Sequence, residues 1–517
     1  MQESATLLHT PLEEEERSSK VIDPCILVIF GATGDLTARK LCPALYNLVR
    51  EGQLPAHFAC VGFARREKGH DQFRQEMHEA VNNFSRVKPI DENLWGTFKN
   101  QIFYHESNFD DDQGYDTLAR FLSELDKKFQ TKGNRVFYLS TQPSFFPVII
   151  EKLNKHGLIY DTNHVKDKWS RVIIEKPFGH DYNSAIELQK FVLNHLDESQ
   201  IYRIDHYLGK ETVQNLLVFR FANSIFEAIW SNHYIDHVQI TVGEEIGIGT
   251  RGAFFEEAGI LRDIVQNHMM QLLCLTTMEP PANLKADAIR DEKVKILQAL
   301  KPIDLANFSK FVVRGQYGPG YINGQDVKGY REEGNVNPNS PIETYTVLKL
   351  YIDNWRWAKV PFYLRAGKRL PKRATEIAVV FKKVPAILFA EGGNNKEQNV
   401  LAIRIQPDEG ISLRMNSKVP GPSSPIQPVK MDFRYGSYFG LTPPEAYERL
   451  ICDCILGDGT LFARGDEVLS SWKWITPVLE RWQENNPSDF PNYQAGSWGP
   501  KAADELMARD EREWRLI

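Results

Sequence analysis

Apolar and polar positions are patterned in two different ways along this chain, with the change near residue 200. On the N-terminal side, short apolar runs recur at intervals filled by helical spacing. Residues 25–30 read Cys-Ile-Leu-Val-Ile-Phe, 58–64 read Phe-Ala-Cys-Val-Gly-Phe-Ala, 135–140 read Arg-Val-Phe-Tyr-Leu-Ser and 170–174 read Ser-Arg-Val-Ile-Ile. Such runs suit strands covered on both faces, as in a parallel sheet. Residues 114–130 and 144–156 have helical spacing. Strand and helix in alternation predict a doubly wound parallel α/β sheet over roughly residues 22–200.

Beyond residue 200 the strands cluster instead. Residues 234–242 alternate, with Ile235, His237, Gln239 and Thr241 set against Asp236, Val238 and Ile240. Further strands are predicted at 345–351, 377–381 and 400–405, and helices at 443–455 and 501–512. A helix is expected from about Gly259 through Leu275. Residues 316–341, rich in Gly, Asn and Pro, read as a long loop. Strands gathered in one region predict an α+β domain with a large mixed or mostly antiparallel sheet. The expected organisation is an acidic disordered tail at 1–20, an α/β domain at 21–202 and an α+β domain at 203–517.

Composition narrows the function. At 517 residues, two or three domains are expected. Lys and Arg number 62 against 68 Asp and Glu, a net charge of −6, which argues against nucleic acid as the partner. The six cysteines are scattered and show no zinc-ligand spacing, so no metal is expected, and a reducing compartment, the cytoplasm, fits best. No apolar run approaches the length of a membrane span. Glu13 to Glu16 are wrong for a secretory or organellar leader.

Three stretches carry chemistry. The first apolar run is followed at once by Gly31-Ala32-Thr33-Gly34-Asp35-Leu36-Thr37. A strand, a glycine turn and a helix in that order bind dinucleotide pyrophosphates, although a plain strand-to-helix turn reads the same way. The second run ends in Arg65-Arg66, where an NAD site places an acid; a guanidinium there favours the 2′-phosphate of NADP, unless it is only a solvated strand end. The 170–174 run leads to Lys176, at a strand end where ligands bind. The second stretch, Arg203 to Lys210, reads Arg-Ile-Asp-His-Tyr-Leu-Gly-Lys. If a helix starts near Asp205, that residue caps it, and His206 and Lys210 share a face suited to a phosphate dianion. A capped surface helix is the alternative. The third is Arg262-Asp263-Ile264-Val265-Gln266-Asn267-His268, whose histidine on an apolar helix reads first as a core residue. Residues 360–370 carry Arg365, Lys368 and Arg369, with Arg373 beyond, and either hold an anion or are solvated.

Together with Glu175-Lys176-Pro177-Phe178-Gly179 and the 360–368 segment, these motifs resemble the glucose-6-phosphate dehydrogenase family in order and spacing from about residue 25 to about residue 510. The resemblance implies a Rossmann domain followed by a β+α domain whose sheet forms a homodimer or homotetramer. It implies a cytoplasmic enzyme that oxidises glucose 6-phosphate with NADP, or less well NAD, at the first step of the oxidative pentose phosphate pathway. It further implies His268 as general base with Asp205 as its partner. His206, Tyr207 and Lys210 would hold the phosphate, with Lys176 between sugar and cofactor. Glu244, Asp263, Lys368, Arg373 and Gln406 would line the sugar pocket. Gly31, Ala32, Thr33, Gly34, Asp35, Leu36, Thr37 and Arg65 would hold NADP.

The chemistry is consistent with these residue types. Oxidising a cyclic hemiacetal removes hydride from C1 and a proton from its hydroxyl, and imidazole suits the proton near neutral pH. A carboxylate on the other ring nitrogen fixes the tautomer. The chain also departs from the family. Animal members with a second, structural NADP use a lysine where this chain has Ala374, a tyrosine where it has Ser412 and an arginine near Trp498, and they have a longer tail; that second site is expected to be absent or weak. A dehydrogenase of another phosphosugar or free aldose, or a silent nucleotide-binding paralogue, are the alternatives. A free sugar has no use for His206 and Lys210, and a silent paralogue has no need of His268, Asp205 and Lys176.

Overall fold

A computed structural model describes residues 22–385, 398–421, 426–440 and 443–517. The acidic tail lies outside the described residues. The chain forms two compact units. The first runs to Glu175 and adds Phe191–Tyr202 and Tyr447–Gly459; the second comprises Lys176–Lys190, Arg203–Ala446 and Thr460–Ile517.

In the first unit the apolar runs are the strands β1 (Cys25–Phe30), β2 (Phe58–Ala64), β3 (Ile102–Glu106), β4 (Arg135–Leu139) and β5 (Ser170–Ile174). They pair in parallel in the order β3-β2-β1-β4-β5, and β6 (Ile201–Ile204) follows β5 in the same sheet. Nearly every residue of the five is buried, which is why they read as unbroken apolar runs. Helix Asp112–Phe129 shows how the covering layer is specified. The carboxylate of Asp111 accepts from Gln113 N at 3.1 Å and starts it, and Tyr115, Leu118, Leu122 and Leu125 form its buried stripe. The strand order reverses at β1, between β2 and β4, and the turn after β1 is therefore the switch point where doubly wound sheets bind ligands.

The second unit is built on an eight-stranded sheet. Its order is Ile426–Arg434, Gly410–Lys418, Val400–Gln406, Ala374–Phe381, β7 (Ile235–Gly243), Pro361–Gly367, Tyr345–Tyr351 and Val312–Gly315. All of its pairs are antiparallel except one: β7 and Pro361–Gly367 run parallel, with Gly243 opposite Gly367. That exception positions chemistry. Both strands end at the same edge, so Glu244 and Lys368 leave the sheet side by side, and Glu244 N donates to Gly367 O at 2.9 Å. Ala374 pairs with Gly243 from the other side, bringing Arg373 and Thr375 to the same edge.

Three local expectations are corrected. The Asp205 segment is not a helix start. Asp205 Oδ1 accepts from Tyr207 N at 2.9 Å and Lys210 N donates to Tyr207 O at 3.1 Å, so residues 205–210 form consecutive turns and the helix begins at Glu211. A short side-chain acceptor competing for nearby backbone N–H groups is the physical reason. The 360–370 segment, for which no element is expected, contains the strand Pro361–Gly367, buried throughout, so Arg365 and Lys368 are not solvated. The 316–341 loop contains short pairings, Gly320–Ile322 with Gln325–Val327 and Tyr317–Gly318 with Tyr493–Gln494. The helix around His268 is broken: Gly259 takes φ 61 and ψ 177, and Leu261–Met269 is wound as a π-helix before α-helical Met270–Thr277.

The polar face of β7 is also covered. Gln239 Nε2 donates to Glu513 O at 2.9 Å and its Oε1 accepts from Arg515 N at 2.9 Å. Arg512 pairs with Asp236 and Arg515 with Glu376. The C-terminal residues thus lie along the sheet, where the guanidinium of Arg365 sits 4.8 Å from the Trp498 ring and 4.3 Å from that of Trp514.

Candidate active site

The glycine turn of the first unit is made by backbone. Gly31 has φ 84, and a Cβ there would lie 2.2 Å from Ser140 O, so only glycine fits. Gly31 N donates to Phe63 O at 2.9 Å and Gly34 N to Gly31 O at 2.9 Å, which fold residues 31–34 into a tight turn at the carboxyl end of β1. Thr37 is buried, and its hydroxyl lies 3.5 Å from Gly31 O. Gly34 and Asp35 are exposed at the start of the helical segment that follows. Arg65 is exposed directly after β2, the parallel neighbour of β1. A turn closed by backbone bonds that opens a helix fits a dinucleotide diphosphate, and a cation one strand away fits a 2′-phosphate. A cleft of about 1010 Å³ lies at the other end of the strands, among Pro24, Leu54, His57 and Lys127, and contains none of these residues.

In the second unit the remaining candidates converge from six separate segments. His268 is 1 % exposed and Asp205 3 %. Nδ1 of His268 lies 2.5 Å from Asp205 Oδ1, and its Nε2 lies 2.9 Å from Lys176 Nζ. An ammonium only donates, so Nε2 is the acceptor and the ring proton is on Nδ1, donated to Asp205. Lys176 also donates to Asp263 O at 2.8 Å and lies 3.3 Å from Asp263 Oδ1, so all three of its protons are engaged. Asp263 Oδ2 is 3.2 Å from Lys368 Nζ, and Lys368 pairs with Glu244. One continuous chain of polar contacts therefore runs Asp205–His268–Lys176–Asp263–Lys368–Glu244.

Tyr207 links this chain to a second cluster. Its ring stacks on His268, with centroids 4.2 Å apart and planes 17° from parallel. The His206 ring meets that of His268 edge-on at 4.5 Å. The Tyr207 hydroxyl accepts from Gln406 Nε2 at 3.2 Å. Gln406 Oε1 in turn accepts from Lys210 at 3.0 Å and from Arg373 at 2.9 Å. Two cations thus converge on one neutral oxygen, a geometry suited to an incoming anion.

Burial and neighbouring charges set the protonation states. Burial pushes the His268 imidazole below its ordinary 6.5; Lys176 adds to that and Asp205 opposes it. Burial works to raise the Asp205 carboxyl, but the charge and hydrogen bond of His268, with smaller contributions from His206 and the Tyr207 amide, outweigh it and hold it at about 2. Burial lowers His206 well below its ordinary value, with His268 and Lys176 acting in the same direction. Asp263 is held well below the carboxylate range because Lys176 and Lys368 overcome its burial. Lys368 is raised, because Asp263 and Glu244 overcome the penalty of its own burial. Near neutral pH the site therefore holds a neutral His268 against an ionised Asp205, with Lys176 Nζ at the other ring nitrogen. Asp205, His206 and His268 also place three potential metal-ligand atoms within 4.8 Å of one another, but Nδ1 of His268 is already committed to Asp205.

All eleven second-unit candidates meet in this one site, while Gly31 to Thr37 and Arg65 belong to the first unit. Sequence reading missed three neighbours. The Thr375 hydroxyl accepts from Gln406 at 3.0 Å and lies 3.3 Å from the Tyr207 hydroxyl. The Phe255 ring lies 5.1 Å from Lys368 Nζ. Asn267 Oδ1 accepts from His268 N at 2.7 Å. Only Asn267 lies within a motif.

Comparison with known proteins covers almost the whole chain. Residues 28–215 match the family model described as glucose-6-phosphate dehydrogenase, NAD binding domain, and residues 217–515 match that of the C-terminal domain. The chain is 58% identical over 503 residues to the glucose-6-phosphate 1-dehydrogenase of Chlamydia pneumoniae, spanning 97% of this chain and 98% of that one. It is 45% identical over 489 residues to the enzyme of the same description from Bacillus subtilis (strain 168), spanning 95% and 98%. A solved glucose-6-phosphate dehydrogenase in complex with its substrate glucose-6-phosphate matches with a TM-score of 0.86 at 35% identity, over 96% of this chain and 100% of the other.

Proposed function

The chain belongs to the glucose-6-phosphate dehydrogenase family, and we propose that His268 is the general base of its reaction. It is an oxidoreductase that oxidises glucose 6-phosphate to 6-phosphogluconolactone with a nicotinamide cofactor. The observation that carries the assignment is the bonding of the two ring nitrogens: Nδ1 toward Asp205 and Nε2 toward Lys176.

Nε2 carries the lone pair that a base needs. The C1 hydroxyl of the sugar takes the place of the Lys176 ammonium at Nε2 and gives its proton to the ring. Asp205, already ionised, stabilises the imidazolium that forms and holds the ring in one orientation. Lys176, displaced by one hydrogen bond, stays anchored through Asp263. Glu244, Asp263 and Lys368 orient the sugar hydroxyls. His206, Tyr207 and Lys210, with Arg373 and Gln406 beside them, receive the 6-phosphate and so place C1 against His268. The nicotinamide, when bound, supplies the hydride acceptor. Gly31, Ala32, Thr33, Gly34, Asp35, Leu36 and Thr37 would hold its diphosphate and Arg65 its 2′-phosphate, which makes NADP the preferred cofactor and NAD the weaker one. No residue in this scheme requires a metal.

A nucleotide domain over residues 21–202 and a substrate and assembly domain over 203–517 are proposed; the compact units depart from these bounds, with Lys176–Lys190 in the second unit and Tyr447–Gly459 in the first. The edge strand Ile426–Arg434 exposes Val429 and Met431, and neighbouring Met415 is also exposed. An exposed apolar edge is suited to pairing with a second copy of the chain, so a homodimer or homotetramer is proposed. Buried thiols at Cys25, Cys42, Cys60, Cys274 and Cys454 suit the cytoplasm. No helix among the described residues is long and apolar enough to cross a membrane.

The test is initial rate with glucose 6-phosphate and with free glucose, each with NADP and NAD. Fast reduction that requires the phosphate and prefers NADP is the expected result. A rate indifferent to the phosphate would overturn the phosphate assignments, and a preference for NAD would overturn that of Arg65.

A further inference from the structure

His268 and Asp263 sit on the π-helix Leu261–Met269, and the start of that helix poses a local problem. The first backbone N–H groups of any helix lack partners within it. No side chain at position 260 caps this one. A single residue from another part of the chain does so instead. Ile260 N donates to Glu343 O at 3.1 Å, and Leu261 N donates to the Glu343 carboxylate Oε1 at 3.3 Å. Two consecutive N–H groups are thereby fixed by the backbone and the side chain of one glutamate, which is 6 % exposed. Gly259 makes room for it: a Cβ there would lie 2.3 Å from Glu343 Oε1, and its φ of 61 belongs to glycine.

Glu343 also connects to the opposite wall. The next residue, Thr344, accepts through its carbonyl from Lys368 N at 3.0 Å, and Thr344 N donates to Gly315 O at 2.8 Å. Lys368 and Asp263 are bonded to each other through their side chains at 3.2 Å. Two successive residues therefore set the backbone positions of both partners in that pair, Asp263 through the helix start and Lys368 directly.

We infer that Glu343 is a positioning residue for the reaction: through the Leu261 N–H it sets the register of the π-helix, and with it the placement of Asp263, Lys176 and His268 against the sugar. This rests on the assignment of His268 as base. Glu343 touches neither substrate nor cofactor in this scheme, so its effect is confined to the alignment of groups that do.

The test is steady-state kinetics and thermal melting of the full-length E343Q, E343D and E343A variants beside wild type and H268N. Gln keeps an oxygen that accepts from Leu261, Asp draws it back by one methylene and Ala removes it. E343Q is expected within about threefold of wild type, while E343D and E343A lose about 10- to 100-fold in kcat/KM for glucose 6-phosphate with KM for NADP changed less than about twofold. A merely structural role would lower the melting temperature and leave the kinetics of the folded enzyme unchanged. That outcome, or an E343Q as impaired as E343D, overturns the inference. Should E343A fail to fold, E343D against E343Q decides. H268N separates the two readings: if it keeps a near-normal rate, the base assignment fails and takes this inference with it; if it is inactive while folded E343D is normal, only the positioning role fails.

Discussion

The two ends of the second unit's site work by different physics. At one end Asp205 and His268 are almost fully buried, and each determines the charge of the other. At the other end Arg373 is exposed and Lys210 and Gln406 are partly so. In a dry setting a charge interacts strongly with its neighbours, so the buried end can specify which atom holds a proton. In a wetter setting charges are screened; they attract and hold an anion without tuning proton affinity. The comparison teaches that chemistry and binding are separable here, and that substitutions at the two ends should fall on different kinetic constants.

The largest expected effect is at the buried end. H268N should lower kcat by about 10³- to 10⁴-fold while KM for glucose 6-phosphate stays within a few-fold of wild type. Steady-state rates at saturating cofactor check this, and a near-normal kcat would break the comparison at its root. D205N should lower kcat by about 10²- to 10³-fold, because the ring loses its fixed tautomer and the charge that stabilises its protonated form. At the open end K210A should act the other way round, raising KM for glucose 6-phosphate by about 10- to 100-fold, as expected for one charged hydrogen bond, with kcat changed much less. A mainly kcat effect at Lys210 would erase the distinction. R65A lies outside both ends and serves as a control: KM for NADP should rise about tenfold while KM for NAD is unchanged, and equal losses would remove the 2′-phosphate argument.

The smallest expected change is in the pH profile. The base must be neutral, and His268 is held below its ordinary value of 6.5, chiefly by burial. The acid limb of kcat/KM should therefore lie below pH 6.5, with the rate level at pH 7. Asp205 is the group that opposes this lowering, so D205N should move the acid limb further down in pH. A limb that moves up instead would contradict the pairing.

The same contrast explains what could be read in the sequence. Gly31 to Thr37 are contiguous, and their function is carried by backbone, so strand, turn and helix were legible together. β1, β2, β4 and β5 were legible because burial on both faces leaves unbroken apolar runs. The substrate site is not local. Glu244 and Lys368 become neighbours only because β7 and Pro361–Gly367 run parallel and end at Gly243 and Gly367, a pairing that no periodicity announces. His268 on its own pattern reads as a core histidine, and it is indeed buried; what distinguishes it is Asp205, 63 positions away. The Asp205–Lys210 segment carried the right residues and the wrong local structure, because a turn and a first helical turn place similar demands on Asp. Glu343 and Thr375 lie in or beside strands, where polar residues read simply as one phase of an alternation. Family resemblance supplied the roles that spacing alone left open.

The central claim, a neutral His268 with its proton on Nδ1, is most directly tested by ¹⁵N NMR of histidine-labelled full-length protein at pH 7, with the His268 signals identified by their loss in H268N. A protonated Nδ1 and a lone-pair-bearing Nε2 are the expected result. An imidazolium, or the proton on Nε2, would contradict it.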